Sequence, residues 1–199
     1  MEVRLYRVKM TMSSQTLSSA QLQRLQQATR THLRQHGCGA YTFEDGAGLI
    51  QLAQTLRPQR VLELGTALGF SACCFAQASE TTQVDTIEAD SEHVQLAREQ
   101  IASVGLRDRI TVHHGYFEEV LPTLSAGYDL VFFDGFEPSM AILSTLREKL
   151  VIGGVLVCAN TSLSSGRERR ALESYLNDNK LWERKDSLEQ GRTLVRVKC

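Results

Sequence analysis

The feature that most constrains the fold is an alternation of short apolar segments with longer amphipathic ones, which begins near residue 60. Between the short segments, apolar residues recur at helical spacing over 70–78, 92–104 and 139–150. Strands that alternate with helices form a mostly parallel sheet, because right-handed crossovers place the helices on its faces. The short segments predicted as strands are 61–64, 84–87, 110–112, 130–133 and 155–157.

Two further helices are predicted before this alternation, over 19–33 and from Asp45 to 56. Pro58 follows the second helix and ends it. Within the alternation, Ser91 is expected to cap the helix over 92–104. Residues 1–15 carry no helical pattern and are interpreted as a flexible arm.

The C-terminal part of the chain has a different pattern. A helix is predicted over 167–177, and two strand-like segments, 181–188 and 193–198, then flank Glu189-Gln190-Gly191-Arg192. This spacing is typical of an antiparallel hairpin. We therefore predict that 1–199 form a single α/β domain, a Rossmann-like doubly wound sheet that is mostly parallel and ends in a C-terminal antiparallel hairpin, with helices on both faces.

The composition excludes several classes of protein. With 23 acidic and 22 basic residues the net charge is −1, which gives no electrostatic reason to expect nucleic acid or an anionic membrane as partner. The sequence has no apolar run near the roughly 20 residues that span a bilayer. The start of the chain has no secretory hydrophobic core, and the five cysteines form no metal or CxxC pattern. A cytoplasmic protein with free thiols is expected.

The segment Glu63-Leu64-Gly65-Thr66-Ala67-Leu68-Gly69-Phe70-Ser71 joins the first strand to the helix after it. In an open α/β sheet this turn lies at the carboxyl edge of the strand, where ligands bind. Gly65 and Gly69 permit a tight bend and a close approach of the backbone to a ligand. Glu63 adds a carboxylate, which favours an ammonium or sulfonium group over a pyrophosphate.

A second acidic residue, Glu88, follows the next strand, at a place where a carboxylate can accept hydrogen bonds from ribose hydroxyls. Turn and acid together predict an adenosine-type ligand, NAD or S-adenosylmethionine. A dinucleotide turn requires G-x-G-x-x-G, and this turn lacks that pattern, so S-adenosylmethionine is favoured. The residues expected to contact it along these two segments are Glu63, Gly65, Thr66, Gly69, Ser71, Glu88 and Ala89.

Together these segments resemble the class I S-adenosylmethionine-dependent methyltransferases, and among them the small O-methyltransferases of the catechol and caffeoyl-CoA type. The resemblance implies methyl transfer to the hydroxyl of a small phenolic or similar molecule. It also implies that Glu63 lies near the methionine end, that Glu88 holds the ribose, and that Gly115 and Tyr116 contact the adenine. The segments that carry it are 63–71, Glu88 with its following helix, 105–112, 129–134 and 153–157.

Metal-dependent members of that family bind Mg²⁺ through two aspartates and an asparagine. Asp134 matches the first aspartate, but the adjacent pair after the next strand reads Ala159-Asn160, so one carboxylate is missing. Because Mg²⁺ requires octahedral oxygen ligation, Asp134 and Asn160 are expected to form only a weak, incomplete site. Asp134 is expected to contact the cofactor or the methyl acceptor as well, and is a candidate catalytic residue.

The catechol enzymes place a lysine base three residues after the first aspartate, where this chain has Glu137. A carboxylate of ordinary pKa, about 4.3, is a poor base for a phenol near 10. Glu137 and His36 are the remaining catalytic candidates, with His36 expected in the loop before the second helix. His32 and His93 are interpreted as exposed helix residues.

Three interpretations follow, in order of preference. The first is an S-adenosylmethionine-dependent O-methyltransferase acting on a small molecule, without a complete metal site. The second is a non-catalytic S-adenosylmethionine-binding protein that has lost the chemistry with Ala159 and Glu137, and the third is a nicotinamide oxidoreductase. No nucleic-acid or membrane partner is expected, and the amphipathic N-terminal segment leaves a homodimer open.

Overall fold

The structure, a computed structural model, describes residues 16–199. The predicted arm at residues 1–15 lies outside this range. All five cysteines lie within the described range, and none of them is in a disulfide there. None of the helices in residues 16–199 combines the length and the apolar character needed to cross a membrane.

Within the described residues, a seven-stranded sheet has the order β3-β2-β1-β4-β5-β7-β6. Strands β1 to β5 pair in parallel with one another. Strand β7 pairs antiparallel with both β5 and β6. This confirms the predicted mostly parallel sheet with an antiparallel C-terminal hairpin. The strands are β1 (Arg60–Leu64), β2 (Gln83–Glu88), β3 (Ile110–His114), β4 (Tyr128–Phe133), β5 (Leu150–Cys158), β6 (Trp182–Leu188) and β7 (Thr193–Lys198).

Helices cover both faces of the sheet, because successive residues of a strand point to opposite faces. On one face, Val61 and Phe132 belong to the core formed with helices α1 to α4. On the other, Leu62 and Phe133 belong to the core formed with α6 and α7. The helices are α1 (Ser19–His36), α2 (Gly46–Leu56), α3 (Phe70–Phe75), α4 (Ser91–Ser103), α5 (Phe117–Val120), α6 (Met140–Lys149) and α7 (Gly166–Leu176).

The structure corrects the predicted N-cap of α4. Ser91 is the first helical residue, and Asp90 is the cap, since its side chain accepts hydrogen bonds from the amides of Glu92 and His93. A carboxylate at this position also interacts favourably with the positive end of the helix dipole. The cap therefore lies one residue earlier than predicted, directly beside Glu88.

Two other helices differ from their predicted extent. α3 was predicted over 70–78 but ends at Phe75, because the amides of Gln77 and Ala78 bond to carbonyls three residues back, as in a 3₁₀ turn. The short helix α5 was not predicted, since four residues are too few to show a helical period.

Candidate active site

The carboxyl ends of β1, β2 and β4 lie side by side, with β1 in the middle. The strand order reverses at β1, with β2 and β3 on one side of it and β4 and β5 on the other. In such sheets, ligands bind in the crevice at the carboxyl ends of the strands where the order reverses. Backbone hydrogen bonds fix the exit of β1 on both sides: the amide of Gly65 donates to Ile87 (3.1 Å), and the amide of Asp134 donates to Leu64 (3.0 Å). Glu63, Glu88 and Asp134 are thereby placed at the ends of three adjacent strands, as the sequence predicted.

The turn after β1 requires glycine at its first position. Gly65 has φ +95°, and a Cβ there would lie 2.8 Å from the carbonyl oxygen of Asp134. Gly69 caps α3 in the left-handed region, with φ +85°. Ala67 also has a positive φ, 44°, and its amide is held by Glu88. The turn therefore packs closely against the end of β4. It is also held by the hydrogen bond from Ala67 to Glu88 at the end of β2.

Glu63 is fully buried beneath this turn. Thr86 donates a hydrogen bond of 2.6 Å to Oε2 of Glu63, and Thr86 is itself 2.6 Å from the hydroxyl of Thr66. Ser71, which follows the turn on α3, is buried as well. Within residues 16–199, the other oxygen, Oε1, is buried without a partner. Burial raises the pKa of Glu63 to about 7, despite the opposing hydrogen bonds. Glu63 thus lies beneath the crevice, and one of its two carboxyl oxygens accepts no hydrogen bond from residues 16–199.

Glu88 is tied to the backbone around it. Its Oε2 accepts from the amide of Ala67 at 2.8 Å and its Oε1 from the amide of Asp90 at 3.0 Å. An ionised carboxylate offers about four acceptor positions, so these two bonds leave room for the hydroxyls of a ligand. Ala89 beside it is exposed, and its carbonyl lies 3.2 Å from a ring nitrogen of His114.

The segment after β3 reaches the same edge. The amide of Gly115 donates to the carbonyl of Glu88 at 2.9 Å, which places Gly115 and Tyr116 beside the predicted ribose position. The side chain of Tyr116 is exposed, whereas Phe117 packs against Phe133 with ring centroids 6.3 Å apart. Of the two aromatic residues, Tyr116 alone is available to stack on a ligand.

Asp134 and Asn160 are brought together at the ends of β4 and β5. The side-chain NH₂ group of Asn160 donates to Asp134 Oδ1 at 3.2 Å and to the backbone carbonyl of Gly135 at 2.6 Å. Burial raises the pKa of Asp134 well above its usual range, and the charges of Glu63 and Glu189 raise it further, while the bond from Asn160 lowers it. The carboxyl therefore has an unusually high proton affinity.

The residues at this position do not make a magnesium site. Asp134 supplies the single carboxylate of the pair, and Asn160 turns its NH₂ group, a donor, toward that carboxylate. Ala159, at the place of the second family carboxylate, is buried and apolar. A hard cation that prefers six oxygen ligands would find too few here.

The two other catalytic candidates lie in different surroundings. Glu137 is exposed on the loop that follows β4. His36 is the last residue of α1 rather than part of a loop, and its Nε2 lies 3.5 Å from Asp90 and 3.7 Å from Glu92. This places His36 at the β2 side of the edge, with β1 between it and Asp134.

The interpretation of two other histidines was wrong. His93 is buried and His32 is half-buried, and both stack with His36 rather than facing solvent. Burial lowers the pKa of His93. The helical pattern did not reveal this, because a helix that packs on both the sheet and another helix buries more than one stripe.

Sequence reasoning missed two residues of the site. Thr86 lies on β2 and is paired in register with Glu63, a position that strand pairing could have revealed. Glu189 comes from the turn of the C-terminal hairpin and is near enough to act on Asp134; nothing local in the sequence indicates this. Two cavities, of about 470 and 280 Å³, lie elsewhere, and no residue of this site lines them.

Comparison with known proteins agrees with this geometry. Residues 62–161 match the family described as "Methyltransferase domain". A catechol O-methyltransferase of Mycobacterium tuberculosis is 31% identical over 129 residues, covering 64% of this chain and 59% of that protein. An O-methyltransferase, hkm8, of Aspergillus hancockii is 34% identical over 93 residues, covering 46% of this chain and 37% of that protein. The chain thus matches about half the length of these two curated relatives.

Solved structures share the fold. The O-methyltransferase of Bacillus cereus in complex with SAH superposes with a TM-score of 0.73 at 20% identity, covering 92% of each chain. The O-methyltransferase TomG of Streptomyces achromogenes in complex with SAM gives 0.72 at 22% identity, again over 92% of each chain. The chain belongs to the methyltransferase-domain family, which confirms the resemblance expected from its sequence.

The tight packing of the turn generates the first prediction. Gly65→Ala and Gly153→Ala both place a Cβ on a residue of positive φ, but a Cβ at 153 meets nothing within 4 Å. Both variants share a backbone cost of roughly 1–2 kcal/mol. We expect Gly65→Ala to lose about 1–3 kcal/mol more, because its Cβ meets the backbone of Asp134. Urea unfolding of both variants measures the difference, and equal losses would contradict the packing described.

The buried Glu63 generates a pH prediction. Its pKa rises from 4.5 to about 7 on folding, so between these values the folded chain binds more protons than the unfolded chain, and stability falls as pH rises. Glu63→Gln cannot ionise. We expect the stability of this variant relative to wild type to increase through that pH window, by on the order of 3 kcal/mol, and to level off above it.

Denaturant unfolding of wild type and Glu63→Gln at closely spaced pH values measures this trend. The loss or gain of hydrogen bonds on substitution shifts the difference by an amount that does not depend on pH. A difference that stays flat from pH 4.5 to about 7 would show that Glu63 has an ordinary pKa.

Proposed function

We propose that this chain binds S-adenosylmethionine and transfers its methyl group to a hydroxyl group of a small molecule. The observation that carries the proposal is the convergence of Glu63, Glu88 and Asp134 on a glycine turn that lies flat between their strands. Carboxyl groups at such a turn suit a ligand with a ribose and a positive charge, and disfavour a pyrophosphate.

The residues divide the cofactor between them. Glu88 would accept the ribose hydroxyls, and Gly115 with Tyr116 would flank the adenine. Gly65 and Gly69 allow the turn its positive φ values and its close packing against Asp134 and Ile101, and so set the path of the backbone beside the ligand. Thr66 and Ser71 are buried, and the hydroxyl of Thr66 lies 2.6 Å from that of Thr86, which donates to Glu63. We assign the side chains of Thr66 and Ser71 to positioning that carboxyl.

When bound, S-adenosylmethionine supplies a methyl group on a positively charged sulfur that is already activated for transfer. The protein then needs chiefly to orient the acceptor and exclude water. Asp134, half-buried just after β4, would accept a hydrogen bond from the acceptor hydroxyl. Its raised pKa brings it closer to the range useful for proton transfer at neutral pH. Exposed Glu137 is the next carboxylate along the loop.

Three exposed apolar side chains lie on loops that we assign to the acceptor side of the crevice. Phe136 lies on the loop after β4, Leu163 on the loop after β5, and Tyr41 between α1 and α2; their exposed fractions are 67%, 52% and 88%. Exposed large apolar side chains on site loops suit a flat, partly apolar acceptor such as a phenol. The catechol O-methyltransferase name of a relative agrees with this class.

A second candidate is a non-catalytic S-adenosylmethionine-binding protein. Ala159 in place of a metal-binding carboxylate and exposed Glu137 in place of the family lysine favour it. We rank the enzyme first because Asp134, half-buried and hydrogen-bonded to Asn160, has a raised pKa that a purely binding protein has no need to keep. We propose that the partner of this chain is a small-molecule methyl acceptor and that the chain acts in the cytoplasm. A homodimer stays a prediction.

Methyl-transfer assays separate the two candidates. Radiolabelled S-adenosylmethionine is incubated with catechols and other phenols, with Mg²⁺ and with EDTA. We expect labelled product from the wild type, and from Asp134→Asn a rate reduced by about tenfold or more with S-adenosylhomocysteine affinity unchanged within about twofold. Cofactor binding without transfer to any acceptor would favour the binding protein; NADH binding without S-adenosylhomocysteine binding would overturn both.

The role of Glu88 is tested by calorimetry with S-adenosylhomocysteine. Glu88→Gln keeps the shape of the side chain but removes its charge, and hydrogen bonds to a charged group contribute about 1.5–3 kcal/mol. We expect the affinity to fall roughly tenfold to a hundredfold. Glu99→Gln, exposed on the neighbouring helix α4, is the matched control. Equal affinity in both variants would remove Glu88 from the site.

A further inference from the structure

Three histidines that the proposed methyl transfer does not use meet between α1 and α4. The ring centroids lie 5.2 Å apart for His32 and His36, 5.2 Å for His32 and His93, and 4.7 Å for His36 and His93. One ring nitrogen of each lies within 4.8 Å of the corresponding atoms of the other two. It is the one such group of three metal-ligating side chains in residues 16–199.

The nitrogens of this cluster lack the partners that buried polar atoms require. In the part of the chain that the structure describes, His32 Nε2, His36 Nδ1 and His93 Nε2 are all buried and make no hydrogen bond. Buried ring nitrogens are normally paired. Three unpaired nitrogens on rings whose centroids lie 4.7 to 5.2 Å apart indicate a shared partner rather than a packing defect.

In two of the three histidines, His36 and His93, the opposite ring nitrogen lies near carboxylates. His36 Nε2 lies 3.5 Å from Asp90 and 3.7 Å from Glu92, and His93 Nδ1 lies 3.9 Å from Glu88. In protein metal sites, a ligating histidine commonly donates its other N–H to a carboxylate, which fixes the ring and makes the ligating nitrogen more basic. Three acidic groups around the cluster also favour a divalent cation electrostatically.

We propose that His32, His36 and His93 bind a zinc ion. His32 and His36 are four residues apart on α1, so they project from one face of the helix, as two zinc ligands on a helix do. Three imidazoles suit zinc, whose Zn–N distance is about 2.0–2.1 Å, and binding would draw the three nitrogens, which lie within 4.8 Å of one another, closer together. The fourth position is left to water or a small anion, since His32 and His36 are only half-buried.

The proposed ion would join α1 to the first turn of α4, beside the carboxylate of Glu88. It is distinct in place and chemistry from the pair of Asp134 and Asn160, which offers oxygen ligands at the end of β4. Its role would be to fix α1 against the sheet edge. The inference does not rest on methyl transfer, and its test requires none.

The experiment uses the untagged full chain, stripped with a chelator and then dialysed. Titration with Co²⁺ is followed by visible absorption, and Zn²⁺ then competes for the same site. We expect visible bands of tetrahedral cobalt, a single equivalent of metal per chain, displacement by Zn²⁺, and no effect of Mg²⁺, which binds imidazole poorly. Zn²⁺ should also raise the thermal unfolding midpoint, because it binds the folded chain.

Variants locate the site. His32→Ala and His36→Ala should each lose Zn²⁺ affinity about a hundredfold or more, since loss of an outer-sphere partner alone costs roughly 10- to 100-fold. The matched control His113→Ala removes a histidine that pairs with Asp85 on the sheet and should bind as wild type does. Circular dichroism verifies folding, and His32→Gln provides a second variant that keeps a polar side chain.

The wild-type spectrum decides the matter even where a variant fails to fold. Weak bands typical of nitrogen ligands, without thiolate charge-transfer absorption, support the assignment. Strong near-ultraviolet charge transfer would assign the metal to cysteine and overturn it. Absence of cobalt bands together with an unfolding midpoint that Zn²⁺ leaves unchanged would overturn it as well, as would equal loss of affinity in His113→Ala.

Discussion

The exit of β1 is held between its two neighbouring strands, and the rest of the site depends on this constraint. Gly65 bonds to Ile87 of β2, and Leu64 accepts a bond from Asp134 after β4. With both sides fixed, the turn lies so close to Asp134 that a Cβ on Gly65 has no space. The same backbone bonds place three carboxyl groups at one edge of the sheet. The shape of the turn and the negative charge around it therefore both result from these bonds.

Those carboxyl groups are the physical basis of the proposed preference for a cationic ligand. Burial raises the pKa of both Glu63 and Asp134. A neighbouring negative charge raises each pKa further, that of Glu88 for Glu63 and that of Glu63 for Asp134. Within residues 16–199, the salt bridges formed by Lys and Arg involve none of these three residues. A positively charged ligand would therefore relieve repulsion that the folded chain otherwise retains.

Much of this could be predicted from sequence, because the relevant signals are local. Apolar strands, the glycine turn and an acid after β2 each occupy a few consecutive residues, and parallel connectivity then places them at one edge. Burial of Glu63 and the cap at Asp90 were not predictable in this way. The burial of Glu63 depends on packing between distant parts of the chain, and the cap depends on which of two adjacent polar residues, Asp90 or Ser91, bonds to the helix amides. The histidine cluster depends on residues 57 positions apart in sequence, His36 and His93.

The two candidate metal positions differ in a way that bears on how chelators would act. The pair of Asp134 and Asn160 is poor in oxygen ligands, whereas the three histidines offer nitrogen ligands suited to zinc and not to magnesium. EDTA removes both kinds of ion, so an EDTA-sensitive activity would not by itself indicate a magnesium-dependent reaction in this chain. Recovery with Zn²⁺ but not Mg²⁺ would place the metal between α1 and α4, where His93 adjoins Glu88 at 3.9 Å. In that case the ion would act through the position of Glu88 and the ribose it is proposed to hold, and not on the reacting hydroxyl.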